Sequence, residues 1–141
     1  MNVFQTQLFD FIEEFHPELM VDKVALKQLL EERADAAAEA YEVATHQGHR
    51  YPEAMEIANN ALYQGFDFAP IELLTAIAER NGGETEEKAL VELYFKVKSI
   101  FDKYQTADDD FAVSEESVLL ETELEDYILV NGLFKEGTPA R

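Results

Sequence analysis

The chain contains no cysteine. That removes disulfides, thiolate metal sites and a cysteine nucleophile, and it fits a reducing compartment. No apolar run reaches the length that spans a bilayer. The first fifteen residues, MNVFQTQLFDFIEEF, hold no base and carry acids inside their apolar pattern, unlike a signal peptide. The expected location is therefore the cytoplasm. There is also no phosphate-binding Gly-x-x-x-x-Gly-Lys, no Gly-x-Ser-x-Gly and no His-Glu-x-x-His. A nucleotide hydrolase, a serine hydrolase and a zinc protease of the familiar kinds lose their usual signatures, and the expectation is a non-enzymatic protein without a cofactor.

Bases are scarce as well. Thirty acids face eleven bases over 141 residues, a net charge of -19. Like charge disfavours nucleic acid and anionic membrane surfaces as partners. A basic protein surface is favoured, by long-range attraction and fast encounter. The acids are also unevenly placed. Residues 1–22 hold five acids and no Lys or Arg, and residues 104–134 hold nine and none. Those nine are Asp108, Asp109, Asp110, Glu115, Glu116, Glu121, Glu123, Glu125 and Asp126, the candidate partner-binding residues.

What the chain does have is helical periodicity. Its densest stretch runs from Arg33 to Phe68. Leu26, Leu30, Ala34, Ala37, Ala38, Tyr41 and Ala44 recur by threes and fours, which predicts one buried face on a helix from Asp22 to His46. The alanines add high helix propensity and permit close approach of a second helix. Gly48 stands where a left-handed cap is wanted, and Pro52 restarts the chain at a first helical position. Ala54, Ile57, Ala58, Ala61 and Leu62 predict the next buried face, with Gly65 ending it.

The strings HPELM (His16 to Met20), ERADAAAEAYE (Glu32 to Glu42) and PEAMEIANNALYQGFDF (Pro52 to Phe68) resemble a bacterial family called domain of unknown function 1896, common in Bacteroidetes and often near mobile genetic elements. The shared pattern is His-Pro-Glu-Leu, then Arg-Ala-Asp-x-Ala-Ala-Glu, then Pro-x-Ala-x-x-x-Ala-Asn and Gly-x-x-Phe. It covers Leu8 to Phe68. The resemblance implies an all-helical fold and carries over no catalytic residue.

Elsewhere, Phe4, Leu8, Phe11, Ile12 and Phe15 predict a helix over 3–15, broken by Pro17 after His16. Pro70 opens a helix to Arg80 with Ile71, Leu74, Ile77 and Ala78 inward. Asn81-Gly82-Gly83 is the clearest break and a candidate hinge or subdomain boundary. Leu90 to Tyr104 predicts a longer helix, and Ser114 caps a last one to Val130, with Leu120, Leu124, Tyr127 and Ile128 as its stripe. The expected architecture is all-α: a single domain over 1–134, an irregular bundle of about six helices around the Asp22–His46 helix, with a polar tail over 135–141. Symmetric self-association is left open.

Three constellations bear on chemistry. His46, His49 and Glu53 have zinc-like spacing, the basis of an alternative reading as a metal-dependent enzyme; a pair of solvated loop histidines explains them more simply. Asp108, Asp109, Asp110, Glu115 and Glu116 suggest a calcium loop. An EF-hand begun at Asp108, however, needs an oxygen ligand at Ala112, glycine at Val113 and glutamate at Leu119. Glu31, Asp35, Glu39 and Glu42 line one helix, where a charged outer face is the simple explanation. Two further alternatives are a sensor with a pocket lined by Phe4, Tyr41, Tyr63 and Phe66, and a DNA-mimic or anti-restriction accessory protein of a mobile element, with carboxylates spaced like phosphates.

Overall fold

The computed structural model describes residues 1–134. The expected tail over 135–141 lies outside them. Six α-helices follow one another: α1 (Val3–Phe15), α2 (Lys23–His46), α3 (Tyr51–Leu62), α4 (Pro70–Arg80), α5 (Glu87–Phe101) and α6 (Glu115–Val130). Short 3₁₀ turns lie at Pro17–Met20 and Phe111–Val113. No strand occurs among the described residues, so the all-α class and the helix count stand as expected.

Cap chemistry sets the boundaries. The Asn2 side chain accepts from the Gln5 N–H, Asp22 from Ala25 and Ser114 from Ser117, each covering an orphan amide of a first turn. At the end of α2 the chain turns through Gly48 at φ +91°, and the N–H groups of His49 and Gly48 donate back to Ala44 and Thr45. That double bond needs a left-handed residue, which glycine supplies without steric cost.

Two compact units result, Met1–Phe66 and Asp67–Arg141. The division falls between Phe66 and Asp67. Asn81-Gly82-Gly83, the candidate hinge, lies instead within the second unit. It is tied there by the Asn81 side chain, which donates to the Ile77 carbonyl and to Glu125, and by the Gly83 N–H, which donates to Ala78.

In the first unit α2 is the central helix, and α3 packs along it more extensively than any other helix pair does. Ala34, Ala37 and Ala44 of α2 and Ala54 and Ala58 of α3 are buried, so small side chains line this contact. Leu8 and Ile12 of α1, with Leu26, Leu30 and Leu62, complete the core. Three expected members are outside it: Phe15, Ala38 and Ile57 are exposed. The Arg33 guanidinium lies 5.0 Å from the centre of the Phe66 ring and donates to the Ala61 and Gln64 carbonyls, which end α3. It thus serves as a cap for the neighbouring helix.

The second unit has its own core. Ile71, Leu74, Ile77 and Ala78 of α4 meet Leu90, Leu93, Val97, Ile100 and Phe101 of α5 and Leu120, Leu124 and Ile128 of α6. Phe68 and Phe111 pack edge to face at 5.1 Å against this core. Tyr127, expected on the buried stripe of α6, is exposed.

Candidate functional site

The nine candidate acids fall on α6 and the loop before it, and the structure sorts them into two groups. Glu121 and Glu125 flank the buried stripe of α6 on one side, and Arg80 pairs with both at 3.0 Å. Asn81 adds a donor to Glu125. Glu123 flanks the other side, where Lys103 pairs with it and the Tyr104 hydroxyl donates to it at 2.9 Å. These bonds are charge-assisted and favour the ionised carboxylate. Donation from Lys103 and then Tyr104 holds the Glu123 carboxyl below its ordinary value, and donation from Arg80 and then Asn81 does the same for Glu125. The Tyr104 hydroxyl is pushed up by its bond to Glu123. These three acids staple α6 to α4 and to the end of α5.

The other six, Asp108, Asp109, Asp110, Glu115, Glu116 and Asp126, are exposed and form no ion pair with any described base. On α6 they keep company that the sequence reading missed. At 100° per residue, Glu115, Val118, Leu119, Thr122, Asp126, Leu129 and Val130 share the face opposite Leu120, Leu124 and Ile128. Val118 is 64% exposed, Leu119 60%, Leu129 50% and Val130 84%. The outward face of α6 is thus an apolar strip set among free carboxylates. The signal was present in the sequence: α6 has apolar residues all round, where a surface helix with one buried face has them on one side.

The histidines divide differently. His46 stands 3.8 Å from Glu42 and His49 stands 3.1 Å from Glu53, each pair one helical turn apart and open to solvent. Among the described residues no three His, Asp or Glu side chains gather closely enough to hold a metal ion. Glu31, Asp35, Glu39 and Glu42 are all exposed on the outer face of α2.

His16 was expected only as a residue ending a helix. It is 3% exposed, beside Glu18 at 5%. Its Nε2 donates to the Phe66 carbonyl at 3.1 Å, and its Nδ1 shares a hydrogen bond with Glu18 Oε2 at 3.3 Å. Phe11 and Phe66 stack about the ring at 5.6 and 5.4 Å. Glu18 Oε1 is buried without a partner. Glu13 and His16 do stand in Glu-x-x-His spacing, but Glu13 faces solvent while His16 turns inward. The His16 site is a lock between the end of α1 and the end of α3. Of the expected sensor pocket, Phe4, Tyr41, Tyr63 and Phe66 all pack against the core of the first unit. An open cleft of about 650 Å³ lies elsewhere in that unit, beside α1 and the first turns of α2.

No curated protein matches this chain. A crystal structure of protein PG0816 from Porphyromonas gingivalis is similar to it, with a TM-score of 0.76 and 28% identity over 94% of this chain and 92% of that one. The similarity to the family named from the sequence extends well beyond Leu8 to Phe68, through α4, α5 and all of α6, since the family model covers residues 1–132. The chain belongs to that family, described as a domain of unknown function (DUF1896).

Proposed function

We propose that this protein is a non-enzymatic interaction module that docks a basic protein through the outward face of α6 and the Asp108–Asp110 loop. The observation that carries the reading is the exposed strip Val118, Leu119, Leu129 and Val130 lying among carboxylates that have no counterion among the described residues. An apolar centre rimmed by like charges is the composition of a protein-docking surface. The apolar residues supply affinity, and the acids supply steering and a preference for basic partners. Glu121, Glu123 and Glu125 serve the helix rather than the partner, because each is engaged within the chain. A DNA mimic asks for an unbroken array of carboxylates. On α6 the array is interrupted by valine and leucine, which suits a protein surface better.

The test is affinity capture from a native lysate at low and high salt, with the native chain and a Leu119→Ser/Asp126→Lys variant. Both positions are exposed, so the variant keeps its core. A basic protein held by the native chain at low salt, released at high salt and absent from the variant supports the reading. A retained set that the substitutions leave unchanged sinks it.

A further inference from the structure

We propose that the cleft beside α1 and the first turns of α2 binds a small amphiphile, an aliphatic chain ending in a carboxylate. This is a second site, separate from the α6 face. Its volume, about 650 Å³, falls among those of small-molecule pockets, which run from roughly 300 to 1,000 Å³. Its floor is apolar: Phe9, Met20, Leu26 and Leu30 line it, an aromatic ring, a flexible thioether and two branched aliphatic groups suited to a methylene chain.

The charge at its edge sets the class of ligand. Lys23 and Lys27 also line the cleft, one turn apart on α2. Both are exposed, and neither lies within ion-pair reach of any described carboxylate. Among the described bases Arg80, Lys98 and Lys103 pair with acids, and what sets Lys23 and Lys27 apart from the other unpaired bases is their shared place beside this apolar floor. Two free ammonium groups beside an apolar floor match an anionic head on an apolar tail. Glu31, the one carboxylate in the lining, stands a further turn along α2. It repels a second negative charge there, so the ligand lies with its head at Lys23 and Lys27 and its tail along Phe9, Leu26 and Leu30.

The experiment is calorimetric titration of the full chain with octanoate, decanoate and dodecanoate, and with decanol, each below its micelle or solubility limit. The Lys23→Glu/Lys27→Glu variant is titrated in parallel. The dissociation constant of the native chain should tighten about fourfold for each added methylene. The variant should bind decanoate at least about tenfold more weakly and decanol within about twofold of native. The variant alters only exposed positions, so loss of fold does not confuse the result, and attachment to the α6 strip would be insensitive to it. Absence of binding by every amphiphile overturns the proposal. So does equal weakening of acid and alcohol, or a sedimenting dimer that the substitutions dissociate, which would make a second copy of the chain the occupant.

Discussion

Replacing His16 by leucine while Glu18 remains should be among the most damaging single changes in the first unit. The native site holds both residues at 5% exposure or less, with one hydrogen bond between them and one Glu18 oxygen already unpartnered. His16→Leu leaves the Glu18 carboxyl buried without any hydrogen-bond partner and frees the Phe66 carbonyl. Breaking a buried pair from one side costs about 3–5 kcal/mol, a large share of the total stability of about 5–15 kcal/mol that a domain has. Glu18→Leu should cost less, about 1–3 kcal/mol. It removes the unpartnered oxygen together with the paired one, and the imidazole keeps its Nε2 bond to Phe66. In the double variant the buried acid is gone, and what is lost is the Phe66 hydrogen bond and ring packing. It should therefore recover about 2 kcal/mol relative to His16→Leu alone, a coupling that only residues in contact show. Native-state hydrogen exchange of the α1 and α3 amides reads this unit by itself. Their protection should differ about thirtyfold between the two variants. If His16→Leu alone is no less stable than the double variant, Glu18 is not a buried acid dependent on His16, and the lock is misassigned.

Acid should loosen the second unit through Glu123 and Glu125. Both carboxyls lie below the ordinary value of 4.5 when folded, so their contribution is complete above it and is lost as pH falls through the folded values. In thermal melts, the gap between the native chain and Glu123→Gln/Glu125→Gln should shrink toward zero as the pH is lowered past 4.5, and a gap that stays constant would refute the staple. Gly48→Ala forces φ +91° on a residue with a Cβ, though nothing lies within 4 Å of it, so backbone strain alone should cost about 1–2 kcal/mol, with Gly48→Asn milder in a urea titration. Ala58→Leu enlarges a fully buried position in the first unit and should cost about 1–3 kcal/mol or more, whereas Ala36→Leu, on the exposed side of α2, should leave the urea midpoint nearly unchanged.

Much of the fold was legible because its determinants are local. Spacing by threes and fours placed α1 and α4 at their observed ends, and Ser114 marked the cap of α6. The misreadings concern which of several adjacent apolar residues faces inward. Ala38, Ile57 and Tyr127 each neighbour a buried position and sit at the edge of a stripe, where a small rotation of the helix decides burial. The candidate site was half legible. Composition located the acids, but their division into three stapled and six free depends on Arg80, Lys103 and Tyr104, which lie 19 to 45 residues away along the chain. No local pattern reports a partner at that separation.

The strings that carry the family resemblance acquire a common meaning here. His16 of the His-Pro-Glu-Leu string bonds to Phe66 of the Gly-x-x-Phe string. Arg33 of the Arg-Ala-Asp string covers the carbonyls that end α3 and lies over the same Phe66 ring. Asn59 of the Pro-x-Ala string accepts from Gln7 and ties α3 to α1. Of the alanines in the strings, Ala34, Ala37, Ala54 and Ala58 are buried and line the close contact of α2 with α3. Every one of these residues is engaged in holding the first unit together, and each is at least half-buried. A ligand or partner reaches none of them without dismantling the fold. The surfaces open to a partner lie almost wholly outside the strings: the outward face of α6, and the cleft with its unpaired Lys23 and Lys27, to which the strings lend only Met20. Substitution of His16, Arg33, Asn59, Phe66 or the buried alanines of the strings should therefore register as loss of stability, and substitution on those two surfaces as loss of binding with stability intact. A chain altered in Arg33 that keeps its stability but loses a partner would break that division.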